Sequence, residues 1–262
     1  MNKKIFVASF HRASDGALEH LIERMKEENL YTDDYKNADY ILAVGDREET
    51  YDFVLQRYKE GKRIIHLWAG EIADWECDND MYRHSLTLMS SIQLCQHDIA
   101  KERVKKLCIS VNKRYFVSTI GNLMVDNLKI DESKVPDYDY DLVLYNPPNK
   151  ASREQIKKEL KSLSKYIIPS YIWLPPNGDR GSDLVEPYVN MPNQPRPIYL
   201  GLLKNCLRFV TNSTSQHHEA PFLIDKDKIK QWGVRNLKRE CLKADMSKPG
   251  ATERVIKIFK SL

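Results

Sequence analysis

Carboxylates and arginines gather where the short apolar runs of this chain end. Gly45-Asp46-Arg47 follows Tyr40–Val44 and brings an acid and a guanidinium to one turn. His66-Leu67-Trp68-Ala69-Gly70-Glu71 closes the next run with a second acid. Asn79-Asp80-Met81-Tyr82-Arg83-His84 opens a helical stretch with Asp80 and Arg83 one turn apart. Arg12 comes just after the first apolar run. Carboxylates so placed could move a proton or accept a bond from a sugar hydroxyl, and the arginines could hold phosphate. An ordinary helix N-cap is the alternative for Asp46, and surface ion pairing the alternative for Arg12 and Arg83. Their joint arrival at strand ends favours a site.

The second half carries a different chemistry. Leu207–Thr211 reads as a strand and runs into Asn212-Ser213-Thr214, where a helix to Leu223 is expected. A helix start attracts phosphate through its free N–H groups, and the hydroxyls of Ser213 and Thr214 add donors. Glu219, further along, could accept both hydroxyls of a ribose; plain N-capping by Asn212 or Ser213 is the alternative. Trp173-Leu174-Pro175-Pro176-Asn177 ends another strand in a polar turn. Gly233-Val234-Arg235-Asn236-Leu237-Lys238-Arg239 supplies cations for a diphosphate. His217 and His218 are adjacent and face different ways, so no metal site is expected. Neither a Walker loop nor a GxGxxG occurs, which sets aside triphosphate and dinucleotide readings.

Elements must position these groups. Strands are expected at Ile5–Phe10, Tyr40–Val44, Ile64–Trp68, Ile92–Cys95 and Tyr115–Ser118, alternating with helices at 16–28, 51–60, 80–89 and 99–107. After a polar stretch at 129–139, strands at Tyr140–Tyr145, Tyr166–Leu174 and Leu207–Thr211 alternate with helices at 153–163, 197–205 and 214–223. Such alternation implies α/β architecture with parallel sheets: two Rossmann-like domains facing across a cleft. The expected domains are 1–128, a linker at 129–139, and 140–249, with a last helix near 250–262 that packs back on the first domain.

The chain has 262 residues with 42% apolar residues, enough for a buried core, and a formal net charge of +4. Five cysteines form no CxxC pair, so free thiols in a reducing, cytoplasmic setting are expected. No apolar run approaches a membrane span, and no secretory leader is evident. Positive charge concentrates in Lys226–Leu262, with 11 Lys+Arg against 4 Asp+Glu, and in the 101–114 segment. Solvated helix faces or a polyanion surface would both account for it.

Together these motifs resemble the UDP-N-acetylglucosamine 2-epimerase family, including its hydrolysing sialic-acid-pathway branch. The resemblance covers residues 39–128 and 140–262. It rests on Gly45-Asp46-Arg47, His66…Gly70-Glu71, Asp80…Arg83-His84, Gly121…Asp126, Asn177, Asn212-Ser213-Thr214…Glu219 and Arg235…Arg239-Glu240. It implies a GT-B fold without a bound metal or cofactor. Ser213, Thr214 and Arg235 would hold the diphosphate and Glu219 the ribose; Asp46, Asp80 and Arg83 would lie near the sugar. Arg12, Arg47, Glu71 and Arg239 would complete the binding set.

Several positions depart from the family. Trp68 stands where an acid or histidine is common, Asn79-Asp80 where the hydrolysing branch has paired acids, and Asn146 where a catalytic histidine follows the first strand of the second domain. The segment before Tyr40 is short, so the first domain should lack strands, leaving an edge suited to a homodimer. Retained UDP ligands beside replaced acid–base groups suggest a UDP-sugar-dependent glycosyltransferase, with Asp46 as acceptor-side base and Asp80 as second choice. The basic tail and Trp68 and Trp75 would suit a nucleic-acid acceptor such as a hydroxymethylated base. The alternatives are a 2-epimerase with rearranged acids (Glu71, Glu76, Asp78, Asp80) and a non-catalytic nucleotide-sugar or nucleic-acid binding protein.

Overall fold

The computed structural model describes residues 3–10, 12–72, 79–126, 128–148, 151–178, 180–233 and 249–262. The chain divides into two compact units, Met1–Asn127 with Glu240–Leu262, and Leu128–Arg239.

In the first unit, β1 (Ile5–Ala8), β2 (Tyr31–Thr32), β3 (Tyr40–Val44), β4 (Arg63–Leu67), β5 (Ile92–Cys95) and β6 (Phe116–Thr119) form a parallel sheet. Their order is β2-β1-β3-β4-β5-β6. α1 (Arg12–Glu27), α2 (Glu48–Lys59), α3 (Asn79–Met89) and α4 (Asp98–Ser110) connect them. All five residues of β3 are buried, which is why the segment is a continuous apolar run. Tyr40, Leu42 and Val44 join Leu18, Leu21 and Met25 of α1 on one face. Ile41 and Ala43 meet Val54 of α2 and Leu86 of α3 on the other. Because every strand is parallel, the turns after β3, β4 and β5 leave from one edge of the sheet.

The second unit has a four-stranded parallel sheet of β7 (Asp141–Leu144), β8 (Tyr171–Trp173), β9 (Arg208–Thr211) and β10 (Ile229–Gln231), in the order β10-β9-β7-β8. α5 (Arg153–Tyr166), which starts in a Ser152/Gln155 capping box, covers one face through Ile156, Leu160 and Leu163. α6 (Arg196–Asn205) covers the other with Leu202 and Leu203. Asp141 is buried at the start of β7 and is met by Arg208 Nε at 2.8 Å and the Ile168 amide at 3.0 Å.

Two expected elements differ. α5 continues through Tyr166, so the strand expected over Tyr166–Leu174 is only Tyr171–Trp173. The helix expected from Thr214 to Leu223 is a single turn, α7 (Ser215–His218), followed by a 3-10 turn at Ala220–Phe222. Pro221 cannot supply the N–H that a continuing helix needs. A four-residue helix has little macrodipole, which leaves N–H and hydroxyl donors as what this turn offers an anion. β2 and β10 were not expected from the sequence.

The chain returns to the first unit as α8 (Ala251–Lys260). Ala251, Val255, Ile256 and Phe259 enter the core beside α1. Asp126 receives the backbone N–H groups of Gly250 at 2.9 Å and Thr252 at 2.6 Å. A carboxylate placed there satisfies donors that a helix start leaves open and complements its dipole.

Candidate functional site

Each unit carries its own polar cluster at the carboxyl edge of its sheet. In the first, Gly45 leaves β3 with φ +77°, a conformation glycine adopts without strain. Arg47, rather than Asp46, is the N-cap of α2, and its side chain makes no capping bond. Asp46 turns to α3 and pairs with Arg83. Burial works against the charge of Arg83, but the carboxylates of Asp46, Glu71 and Asp80 outweigh it and raise its pKa. Arg83 is 5% exposed, and its Nε has no hydrogen-bond partner among the described residues; the same holds for Nδ1 of His84. Unanswered buried polar atoms are rare and mark places that water or a ligand completes.

His66, wholly buried at the end of β4, organises this cluster. Its Nε2 lies 2.9 Å from the Gly45 carbonyl and its Nδ1 3.0 Å from the Thr87 hydroxyl. Burial lowers its pKa to about 4; the Gly45 carbonyl opposes this and Arg83 reinforces it. The neutral ring therefore donates from Nε2 to Gly45. The bare Nδ1 then accepts, and the Thr87 hydroxyl gives it its single proton. One imidazole thus ties the turn bearing Asp46 to the helix bearing Arg83.

The turn after β4 is tight. Trp68 has φ +64°, a left-handed conformation unfavourable for a side chain with a Cβ. A Cβ on Gly70 would lie 2.4 Å from the Ala100 carbonyl oxygen, so only glycine lets the turn close on α4. Glu71 then lies buried against His97, with Oε1 and Nε2 3.0 Å apart. His97 caps α4 by accepting the Ala100 N–H at Nδ1, which leaves its ring proton on Nε2.

In the second unit three asparagines hold the strand ends together. Asn212, after β9, accepts the Asn146 N–H at 2.8 Å and donates Nδ2 to the Asn146 carbonyl at 2.8 Å. The Asn146 carboxamide accepts the Asn177 N–H at 2.9 Å. Ser213 accepts the Ser215 N–H at 3.3 Å, and Thr211 accepts the Ser213 N–H at 2.9 Å. Ser213 and Thr214 are partly exposed at this turn. Glu219 is buried and paired with Arg196, while its other oxygen accepts the Ser215 hydroxyl. Tyr199 lies 2.6 Å from that hydroxyl, and burial, reinforced by the charge of Glu219, raises its pKa, so it stays a donor.

The structure therefore brings Asp46, Glu71, Asp80 and Arg83 into one cluster with Arg47 beside it, and links Asn146 and Asn177 through Asn212. Ser213, Thr214 and Glu219 share the segment after β9. Arg12 opens α1, but its side chain lies outside the described residues, as do Arg235, Arg239, Trp75, Glu76 and Asp78. Sequence reasoning missed Thr87, His97, Arg196 and Tyr199 as site components. His97-Asp98 ahead of a helical run was a legible cap signal; Arg196, after Pro195, offered none. Among the described residues no group of His, Cys, Asp and Glu could hold a metal ion, and no helix is long and apolar enough to cross a membrane.

Two parallel α/β units with such clusters match the GT-B-like fold of nucleotide-sugar enzymes. The sequence model described as UDP-N-acetylglucosamine 2-epimerase matches residues 12–226, and the chain belongs to that family. It is 24% identical to the GDP/UDP-N,N'-diacetylbacillosamine 2-epimerase (hydrolyzing) of Campylobacter jejuni over 207 residues, 70% of this chain and 54% of that one. It is 22% identical to the polysialic acid biosynthesis protein P7 of Escherichia coli over 220 residues, 74% of this chain and 56% of the relative. The chain thus spans about half the length of these curated relatives. The crystal structure of UDP-GlcNAc 2-epimerase from Neisseria meningitidis bound to UDP-GlcNAc matches the fold with TM-score 0.63 at 14% identity, covering 84% of this chain and 80% of that one. These findings favour the epimerase alternative over the glycosyltransferase and lend no support to a nucleic-acid acceptor.

Proposed function

We propose that the protein is a 2-epimerase acting on a UDP-N-acetylhexosamine, with hydrolytic release of UDP. The observation that carries this reading is the Arg83 cluster: a buried guanidinium among the carboxylates of Asp46, Glu71 and Asp80, in a chain of this family.

Inversion at C2 needs a base to take the C2 proton while the C1–O bond breaks and its electron pair leaves with UDP. The C1=C2 double bond so formed then takes water oxygen at C1, and a proton returns to C2 from the opposite face. Two acid–base groups are needed, each typically contributing 10²–10⁴-fold. Asp46 and Asp80 take these roles, Glu71 shares the charge, and Arg83 holds the carboxylates in place. Ser213 and Thr214 bind the diphosphate, Glu219 the ribose, and Arg235 and Arg239 offset the charge growing on departing UDP. Asn146 and Asn177 shape the nucleotide-side turns.

The test is turnover of UDP-N-acetylglucosamine in D₂O. Deuterium at C2 of the released sugar, with UDP formed in equal amount, is expected. UDP release with the C2 proton retained would mean plain hydrolysis or transfer and would overturn the proposal.

A further inference from the structure

We infer that Tyr199, Ser215 and Arg196 form a relay that fixes the Glu219 carboxylate for a ribose diol and so makes the nucleotide site select ribose over 2'-deoxyribose. The inference rests on the nucleotide reading above and deepens it.

The direction of every proton in the relay follows from chemistry. A carboxylate beside a guanidinium only accepts, so the Ser215 hydroxyl spends its single proton on Glu219. Ser215 Oγ then has only lone pairs for Tyr199, 2.6 Å away, and the phenol must donate. Tyr199 comes from α6, as does Arg196, whereas Ser215 and Glu219 come from α7 and its end. Among the described residues each Glu219 oxygen thus has one internal donor, Arg196 at Oε1 and Ser215 at Oε2. A carboxylate offers about four lone-pair positions, so each oxygen keeps one for an incoming hydroxyl. Two adjacent hydroxyls, one per oxygen, match that vacancy; a single hydroxyl leaves an oxygen of a buried carboxylate underused. Glu219 is 5% exposed, so water compensates poorly there.

Fixing the carboxylate beforehand removes the ordering cost from the binding step. Without the Tyr199 proton, Ser215 Oγ can turn to other acceptors, and the Oε2 side of the diol grip loosens. A purely structural role, tying α6 to α7, would alter stability without altering the preference for ribose.

The experiment is calorimetric titration of the full chain with UDP and with 2'-deoxy-UDP, for the wild type, Tyr199→Phe and Ser215→Ala. A charged hydrogen bond predicts that the wild type prefers UDP by about tenfold or more. In either variant the preference should fall to about threefold or less, with UDP binding still measurable. A preference unchanged in either folded variant would refute the relay and leave the nucleotide site standing. Absence of UDP binding by the wild type would refute the nucleotide reading itself, and the relay with it. Either folded variant suffices to decide.

Discussion

His66 makes the stability of the first unit depend on pH in a way that can be worked out in advance. Its folded pKa of about 4 lies below the ordinary 6.5 because burial disfavours the charged ring. A histidine held neutral contributes its full stability above the unfolded value, and loses it as the pH falls from about 6.5 toward 4. Linkage between those two values gives a loss of about 2 kcal/mol between pH 7.5 and pH 5, and about 3 kcal/mol below pH 4. His66→Gln keeps an amide donor for the Gly45 carbonyl but cannot titrate. It should therefore be less stable than the wild type at pH 7.5, yet lose about 2 kcal/mol less on going to pH 5. Native-state hydrogen exchange at the β3 and β4 amides reads this unit directly. His84, also lowered by burial, is common to both proteins and cancels in the difference. Equal acid losses in wild type and variant would refute the assignment of a neutral, locking imidazole.

Asp46→Asn should lower kcat by about 10²–10⁴-fold with UDP affinity retained, and should destabilise the first unit by about 3 kcal/mol because Arg83 loses its paired carboxylate; kinetics and urea unfolding check both. Asp126→Ala leaves the amides of Gly250 and Thr252 without their acceptor. It should cost about 1–2 kcal/mol and speed hydrogen exchange in α8. Asn212→Ala strips two buried bonds from the Asn146 backbone and should cost about 2–4 kcal/mol by denaturant unfolding. Asn212→Asp, which turns an oxygen toward the Asn146 carbonyl, should be no better.

What could be read from the sequence was what its local pattern encodes. Tyr40–Val44 announces itself because a strand buried on both faces must be apolar throughout. β2 and β10, of two and three residues, have no room for a pattern; they exist because a neighbouring strand offers its edge. Asp46 was visible as an acid at a strand end, but cap and ion-pair partner look alike in one dimension. Arg83, thirty-seven positions away, decides between them. Asn146 read as the replacement of a catalytic histidine; in the fold its backbone is bound by Asn212 and its carboxamide by Asn177, which gives it a positioning task. The helix drawn from Thr214 to Leu223 ignored what Pro221 forbids.

Both units use one physical device. A buried, uncharged side chain grips the backbone of the adjoining turn: His66 holds the Gly45 carbonyl, and Asn212 holds the peptide groups of Asn146. Neutral groups cost far less to bury than ions, so these locks can sit in the core. Asp46 in one unit and the Ser213–Glu219 segment in the other adjoin these locks at the sheet edge. On the proposed reading, this division lets Asn146 stand where a histidine is expected without ending turnover. A lock needs shape and hydrogen bonds, and Asn146 and Asn212 supply these as well as any titrating pair; acid–base work needs carboxylates, and those remain around Arg83.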